Sequence, residues 1–252
     1  MTTSSHASLD LVGRRPKAEK IRRLLGAALN AQRVLRMLEV GTGSGAIAHY
    51  FAGLDGGRHE VHAVDVADQR QVHEGYRFTT YDGRHLPFAD DAFDIVISNH
   101  VIEHVGRREE QAMHLGEIRR VLAPRGHAYL AAPSRWQMIE PHFHLPFLSW
   151  LPRSWSHAYV RLTGKGENYD CNPLTHAQLE RLLDEARLRH SNLNVSALQV
   201  ALELEPSASR FAALVARTPN ALLQALYRFS PTMVYMLDAK DVDPEPHPAT
   251  DP

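Results

Sequence analysis

The chain has 252 residues, 44% of them hydrophobic and 23% charged, with a formal net charge of −1. That length fits one large domain or two small ones, and the near-zero charge gives no hold on a polyanion, so no nucleic-acid partner is expected. Cys171 is the one cysteine; this excludes an intrachain disulfide and a cysteine metal cluster, and fits a reducing cytoplasm. No apolar run reaches the roughly 18 residues of a spanning helix, and the polar stretch from Met1 to Leu9 lacks the apolar core of a secretory signal.

In chain order, residues 1–14 are rich in Ser and Thr and read as a flexible lead-in. Pro16 to Asn30 predicts a helix with Ile21, Leu24, Leu25 and Leu29 on its apolar face. Lys17, Lys20, Arg22 and Arg23 lie opposite and read as a solvated face. Val34 to Val40 predicts a buried strand that runs into Gly41-Thr42-Gly43-Ser44-Gly45. Glycines at alternate positions suit a sharp turn where a ligand approaches the backbone closely. A helix opening at about Ser44 would aim its free N–H groups into that turn. It runs to Leu54, and Asp55-Gly56-Gly57 forms a turn. Val61 to Asp65 predicts a second strand ending in an acid, the position that holds a ribose diol in nucleotide-binding α/β folds. Gly41, Gly43 and Ala46 fit the dinucleotide fingerprint G-x-G-x-x-G/A, while the same stretch also reads E-x-G-x-G-x-G. The residues alone leave open a dinucleotide, another nucleotide-bearing cofactor, and a glycine turn with no ligand.

Residues 67–75 are weakly patterned and read as one short helix. Arg77 to Thr80 predicts a third strand and Phe93 to Ser98 a fourth, buried on both faces. The loop between them, 83–92, is too short for a crossover helix, which argues against a nicotinamide-dependent oxidoreductase of ordinary build. Arg107 to Leu122 predicts an amphipathic helix ended by Ala123-Pro124-Arg125-Gly126, and His127 to Ala132 a fifth strand. Residues 135–172 break the α/β rhythm with Trp136, Phe143, Phe147, Trp150 and Trp155 among Pro141, Pro146 and Pro152. A lid, plain packing, and peripheral membrane contact through 143–155 all fit that composition. Thr175 is the expected N-cap of a helix over His176 to Leu188. Val195 to Leu204 and Arg210 to Ala216 read as a hairpin of two strands, Pro219 to Tyr227 as a helix, and Pro231 to Leu237 as a short apolar tail. Asp238 to Pro252, proline-rich and acidic, is expected to be disordered.

Glu39 to Gly45 resembles the first motif of the class I S-adenosylmethionine-dependent methyltransferases. Asp82 to Ser98 (D-x-x-x-LPF-x-D-x-x-FD-x-V-x-S) resembles the ubiquinone/menaquinone-biosynthesis-like branch of that family, as does the helix, L-x-P-x-G, strand sequence around Leu122. The resemblance covers roughly residues 34–134. It implies an α/β, Rossmann-like class I methyltransferase fold: a mostly parallel seven-stranded sheet with an antiparallel edge strand and helices on both faces. A single domain over 1–237 would carry an acceptor-binding or lid insertion at 135–172, with 238–252 as a tail.

The cofactor implied is S-adenosylmethionine. By resemblance, Gly41, Gly43 and Gly45 would wrap its methionine part, with Glu39 beneath the turn near its amino group. Asp65 would take the ribose hydroxyls and Val66 would pack on the adenine. Asp82 and Gly83 would meet the adenine edge, and Asn99 would lie beside the methionyl moiety. His100, His104 and His144 are the candidate catalytic bases, since imidazole exchanges a proton near neutral pH. His142 and His144 could ligate a metal with a third partner, but two ligands do not make a site, so no metal is expected. Glu140 to Phe147 resembles methyltransferases of glycan or natural-product assembly, which favours a hydroxyl acceptor on a small molecule or a glycan- or lipid-linked compound. A non-catalytic cofactor-binding or scaffold protein on the same fold is the rival reading.

Overall fold

The structure, a computed structural model, describes residues 11–29, 32–204, 215 and 217–239. Seven strands form one sheet in the order β3-β2-β1-β4-β5-β7-β6. They are β1 (Arg36–Val40), β2 (Glu60–Asp65), β3 (Arg77–Thr80), β4 (Phe93–Asn99), β5 (Leu122–Pro133), β6 (Leu188–Asn192) and β7 (Thr232–Ala239). The first five strands pair parallel, while β7 runs antiparallel to both β5 and β6. The helices are α1 (Leu11–Leu25), α2 (Ala46–Ala52), α3 (Arg108–Val121), α4 (Arg153–Leu162), α5 (His176–Glu185), α6 (Asn194–Leu204) and α7 (Asn220–Ala225). The mostly parallel Rossmann-like sheet expected from the sequence is present.

Side chains alternate across the strands and so build two cores. Leu38, Val40, Val96, Ala128 and Leu130 pack with Leu115 and Ile118 of α3 and Leu179 and Leu183 of α5. Met37, Ala63, Ile95, Ile97 and Tyr129 pack on the other face with Ile21 and Leu25 of α1, Ile47 and Phe51 of α2, and Ala197 of α6. Parallel neighbours usually need a crossover helix. Between β3 and β4 a loop replaces it: Leu86 is buried in the first core with Phe88 packed against it. Arg120 of α3 holds this loop, donating to the Leu86 and Phe88 carbonyls and to Asp90 Oδ1.

Several sequence expectations are corrected. The first helix starts at Leu11, inside the stretch read as a lead-in. Residues 67–75 form no helix, because Gln71 and Val72 give their N–H groups to the Ser44 carbonyl and strap the glycine turn. Val195 to Leu204 is helical, not a strand. Its Val, Ala and Leu spacing suits either period, and burial of Ala197 against the α1 side of the sheet decides for the helix. Arg210 to Ala216 lies outside the described residues except for Val215, which is helical. The pair that completes the sheet is instead β6 with β7, and the expected apolar tail is β7 itself. Thr175 caps α5 as expected: its hydroxyl accepts from the Gln178 N–H, and the Gln178 amide accepts from the Thr175 N–H. Of the expected disordered tail, Asp238 and Ala239 belong to β7 and the rest lies outside the described residues.

Asp94 sits buried in β4 and ties it to the start of β1. It accepts from the Arg36 N–H at 2.8 Å and from the Arg33 guanidinium at 3.0 Å. Burial opposes ionisation, but these hydrogen bonds outweigh it and hold the carboxyl at about 2. The native state thus favours the carboxylate, a contribution present above the unfolded value and lost as pH falls through about 2. Asp94→Asn is expected to lower stability at pH 7 by about 2 kcal/mol, with the deficit shrinking between pH 4 and pH 2. Urea unfolding of both proteins across that range checks it.

Candidate active site

The candidate site lies at the carboxyl ends of β1, β2 and β4. Gly41, Gly43 and Gly45 all take left-handed backbone angles after β1. A β-carbon on Gly41 would lie 2.5 Å from Val101 Cγ2, and one on Gly45 would meet the Val72 carbonyl at 2.4 Å. The turn is therefore pinched between the segment after β4 and the strap after β2.

Glu39, the penultimate residue of β1, is almost completely buried beneath this turn. Its Oε2 accepts from the Thr42 hydroxyl at 2.6 Å and from the Ala48 N–H in the first turn of α2 at 2.9 Å. Burial pushes the carboxyl up to about 7 against these bonds and the field of Arg14. A cationic ligand above the turn would return it to the charged form. The Ser44 hydroxyl, also buried in the turn, has no hydrogen-bond partner among the described residues.

Asp65 closes β2 with one oxygen accepting from the Gly43 N–H at 2.8 Å and the other from the Val66 N–H at 2.7 Å. A carboxylate has about four lone-pair sites, so two remain for a diol. Val66 is 56% exposed beside it. A β-carbon on Gly83 would lie 3.1 Å from Val66 Cγ1, so the two stand side by side. The neighbouring Asp82 accepts from the Arg84 and His85 N–H groups, both at 2.8 Å, and those bonds lower its pKa. Its carboxylate caps the local loop at the same time as it is exposed to solvent.

Asn99 ends β4, and His100 follows in a left-handed conformation with φ 58°. Its N–H donates to the Ala131 carbonyl of β5. Two of the candidate histidines meet at one buried carboxylate, Glu103. His100 Nδ1 lies 3.4 Å and His104 Nε2 3.9 Å from Glu103 Oε1. These are ion-pair distances, and among the described residues neither Glu103 oxygen has an aligned hydrogen bond. Burial raises the Glu103 pKa, but the two imidazoles outweigh it and hold the carboxyl below its ordinary value. His114 of α3 is a further buried neighbour, 3.2 Å from the Ser98 hydroxyl, and burial drops it to about 4, so it is neutral. His144 stands apart: it is exposed in a left-handed turn with its N–H on the Glu140 carbonyl. Among the described residues no hydrogen bond or ion pair joins it to His100 or Glu103.

The insertion has a small core of its own, with Phe143, Leu145, Leu148, Val160, Tyr169 and Cys171 buried together. It is stitched to the site where the Asn172 N–H donates to the Glu103 carbonyl at 2.7 Å. Gln111 of α3 bridges the Ile102 and Asn172 carbonyls. Trp136, Phe147 and Trp150 form an edge-to-face cluster, and all three are exposed.

The glycine turn and acid-tipped β2 agree with what sequence comparison finds. A family model described as a methyltransferase domain matches residues 38–130. Residues 38–130 are thus similar to a methyltransferase domain. An uncharacterized methyltransferase of Mycobacterium leprae is 40% identical over 98 residues, 36% of this chain. The chain spans about a third of the length of the curated relatives it matches, 34%. Among solved structures, a TehB-like S-adenosylmethionine-dependent methyltransferase from Corynebacterium glutamicum covers 89% of this chain and 88% of its own, with TM-score 0.51 and 15% identity. A geranyl diphosphate methyltransferase in complex with S-adenosylmethionine covers 92% and 89%, with TM-score 0.52 and 13% identity. The [4+2]-cyclase SpnF shares the fold as well, at TM-score 0.51 and 15% identity over 88% of this chain and 80% of that one. S-adenosylmethionine is named for both the TehB-like protein and the geranyl diphosphate methyltransferase. The pinched glycines, the orphaned Ser44 hydroxyl and the buried Glu39 carboxylate fit it, since its amino and sulfonium groups carry positive charge.

Glu39 sets a pH dependence in the ligand-free protein. Its native pKa is raised, so between about 4.5 and 7 the folded state holds a proton that the unfolded state has lost. Stability therefore falls as pH rises through that window, by about 3 kcal/mol in all. Glu39→Gln keeps an acceptor for Thr42 and Ala48 but cannot ionise. Its unfolding free energy should change less between pH 5 and pH 8 than that of the parent, as read by denaturant titration.

Proposed function

We propose that this chain transfers a methyl group from S-adenosylmethionine to a hydroxyl of a small-molecule, glycan-linked or lipid-linked acceptor. The observation that carries the hydroxyl preference is the His100–Glu103 pair beside the glycine turn. When bound, the cofactor supplies an activated methyl on its sulfonium. The chain has to hold the acceptor in line and relieve it of a proton; positioning of this kind contributes roughly 7–11 kcal/mol at best.

In this reading Glu39 meets the amino group from beneath the turn, and Asp65 spends its two remaining lone pairs on the ribose hydroxyls. Val66 and Gly83, side by side, offer one face for the adenine, and Asp82 shapes its loop. Asn99 stands beside the methionyl part. His100 is the proton acceptor: Glu103 faces its Nδ1, which leaves Nε2 for the acceptor hydroxyl. The paired carboxylate orients the ring and balances the imidazolium that forms. The exposed Trp136, Phe147 and Trp150 rings offer a flat apolar surface for the body of the acceptor, which suits a sugar face or a lipid-linked compound.

A second reading keeps the cofactor without methyl transfer. The observation that favours it is the likeness to SpnF, a cyclase on this fold. Calorimetry tests the cofactor that both readings share. S-adenosylmethionine and S-adenosylhomocysteine should both bind and NADH should not. Asp65→Asn should weaken both adenosyl ligands by about 10–100-fold, the loss of one charge-assisted hydrogen-bonded contact. Release of S-adenosylhomocysteine with a panel of hydroxylated acceptors then tests transfer. His100→Ala should lower kcat by about 10²–10⁴-fold with cofactor affinity unchanged. NADH binding, or an unaltered kcat in His100→Ala, would sink the reading.

A further inference from the structure

We propose that His104, His142 and Cys171 form a binding site for a zinc-class divalent metal ion, which clips the insertion onto the turn after β4. The three residues come from separate places: the turn after β4, the start of the insertion and its end. Their ligand atoms all lie within 4.8 Å of one another. His104 Nδ1 is 3.7 Å from the Cys171 sulfur, and the His104 and His142 rings meet edge to face at 4.7 Å between centroids.

Bond lengths to zinc of about 2.0–2.1 Å for imidazole and 2.3 Å for thiolate put tetrahedral ligands about 3.5 Å apart. Side-chain movements of about 1 Å would therefore close the site. Two imidazoles and one thiolate are a donor set that selects zinc or cobalt over magnesium or calcium. On binding, the Cys171 proton passes to solvent and the thiolate takes up the metal.

The surroundings are built for such an ion. His104 turns Nδ1 to Cys171 and Nε2 towards the Glu103 carboxylate at 3.9 Å. A carboxylate behind a ligating imidazole is the usual outer support of a metal-bound histidine. Glu103 itself is buried without an aligned hydrogen bond among the described residues. Asp170 Oδ1 lies 3.9 Å from the Cys171 sulfur, within reach of the fourth position. Glu140 adds a third nearby acid, its Oε2 accepting from the His142 and Phe143 N–H groups. Cys171 and Phe143 also belong to the insertion's small core, so an ion here would fasten that core to the Glu103 turn.

The test uses the full chain, reduced, stripped of metal with a chelator and titrated with Co²⁺. One equivalent should bind and give a thiolate-to-cobalt charge-transfer band that Zn²⁺ abolishes, and Zn²⁺ should raise Tm. Cys171→Ser should lose the band, and His142→Gln should weaken Co²⁺ binding at least 10-fold. Glu103→Gln, which leaves all three ligands in place, should weaken it by about 10–100-fold. His73→Ala, an exposed histidine elsewhere, should leave it unchanged. Circular dichroism confirms that each variant is folded. Absence of the band in the folded parent chain, or equal Co²⁺ affinity in the parent and His142→Gln, overturns the proposal.

Discussion

Two points on the glycine turn have no room for a β-carbon, and the upper edge of the sheet is arranged around that fact. Val101 closes on Gly41 from the side of β4, while Val72 and Tyr76 close on Gly45 from the strap after β2. A methyl group at either place would drive these segments apart, on backbone angles that L side chains resist. The same contacts settle where the functional groups stand. Asp65 reaches the Gly43 N–H because the turn lies against β2. His100 and Glu103 flank Val101, the residue packed on Gly41, so the candidate base is indexed to the glycine turn by a van der Waals contact. Glu39 completes the set from below, linking strand, turn and α2 through one carboxylate.

Much of this could be read along the chain because it is local. The residues from Glu39 to Asp65 form a single β-turn-α-β unit, and the motif needs no distant partner to be recognised. The loop from Asp82 to Phe93 was legible for the same reason: it is too short to hide a helix. What failed was longer in range. Val-Ser-Ala-Leu-Gln-Val-Ala-Leu-Glu-Leu carries both helical and strand periods, and only the α1 side of the sheet decides between them. Thr232 to Ala239 is rich in strand-forming residues, yet nothing nearby says that it pairs on both sides. The convergence of His104, His142 and Cys171 was equally invisible, since Cys171 lies 67 positions from His104.

The insertion is more independent than a loop and less so than a domain. Its six buried side chains form a core too small to stand alone, so its placement leans on Asn172, Gln111 and the bridge between Ser134 and Leu174. All of these attach near its two ends. The aromatic face carrying Trp136, Phe147 and Trp150 is set between those attachments and stays open to solvent. No helix among the described residues is long and apolar enough to cross a membrane.

The place of β7 has a consequence for how the molecule is made. It is inserted between β5 and β6, pairing His127 to Pro133 on one side and Leu188 to Asn192 on the other. A nascent chain emerging from the ribosome has β1 to β5 complete long before Thr232 appears. Throughout that interval β5 is an open edge lined with apolar residues, a template for pairing with another chain. The parallel portion can collapse during synthesis, but the sheet can close only when almost the whole described chain has been released. Translation speed and chaperone access over residues 134–239 are therefore expected to govern yield, and truncation before β7 to give aggregate in place of a smaller folded unit.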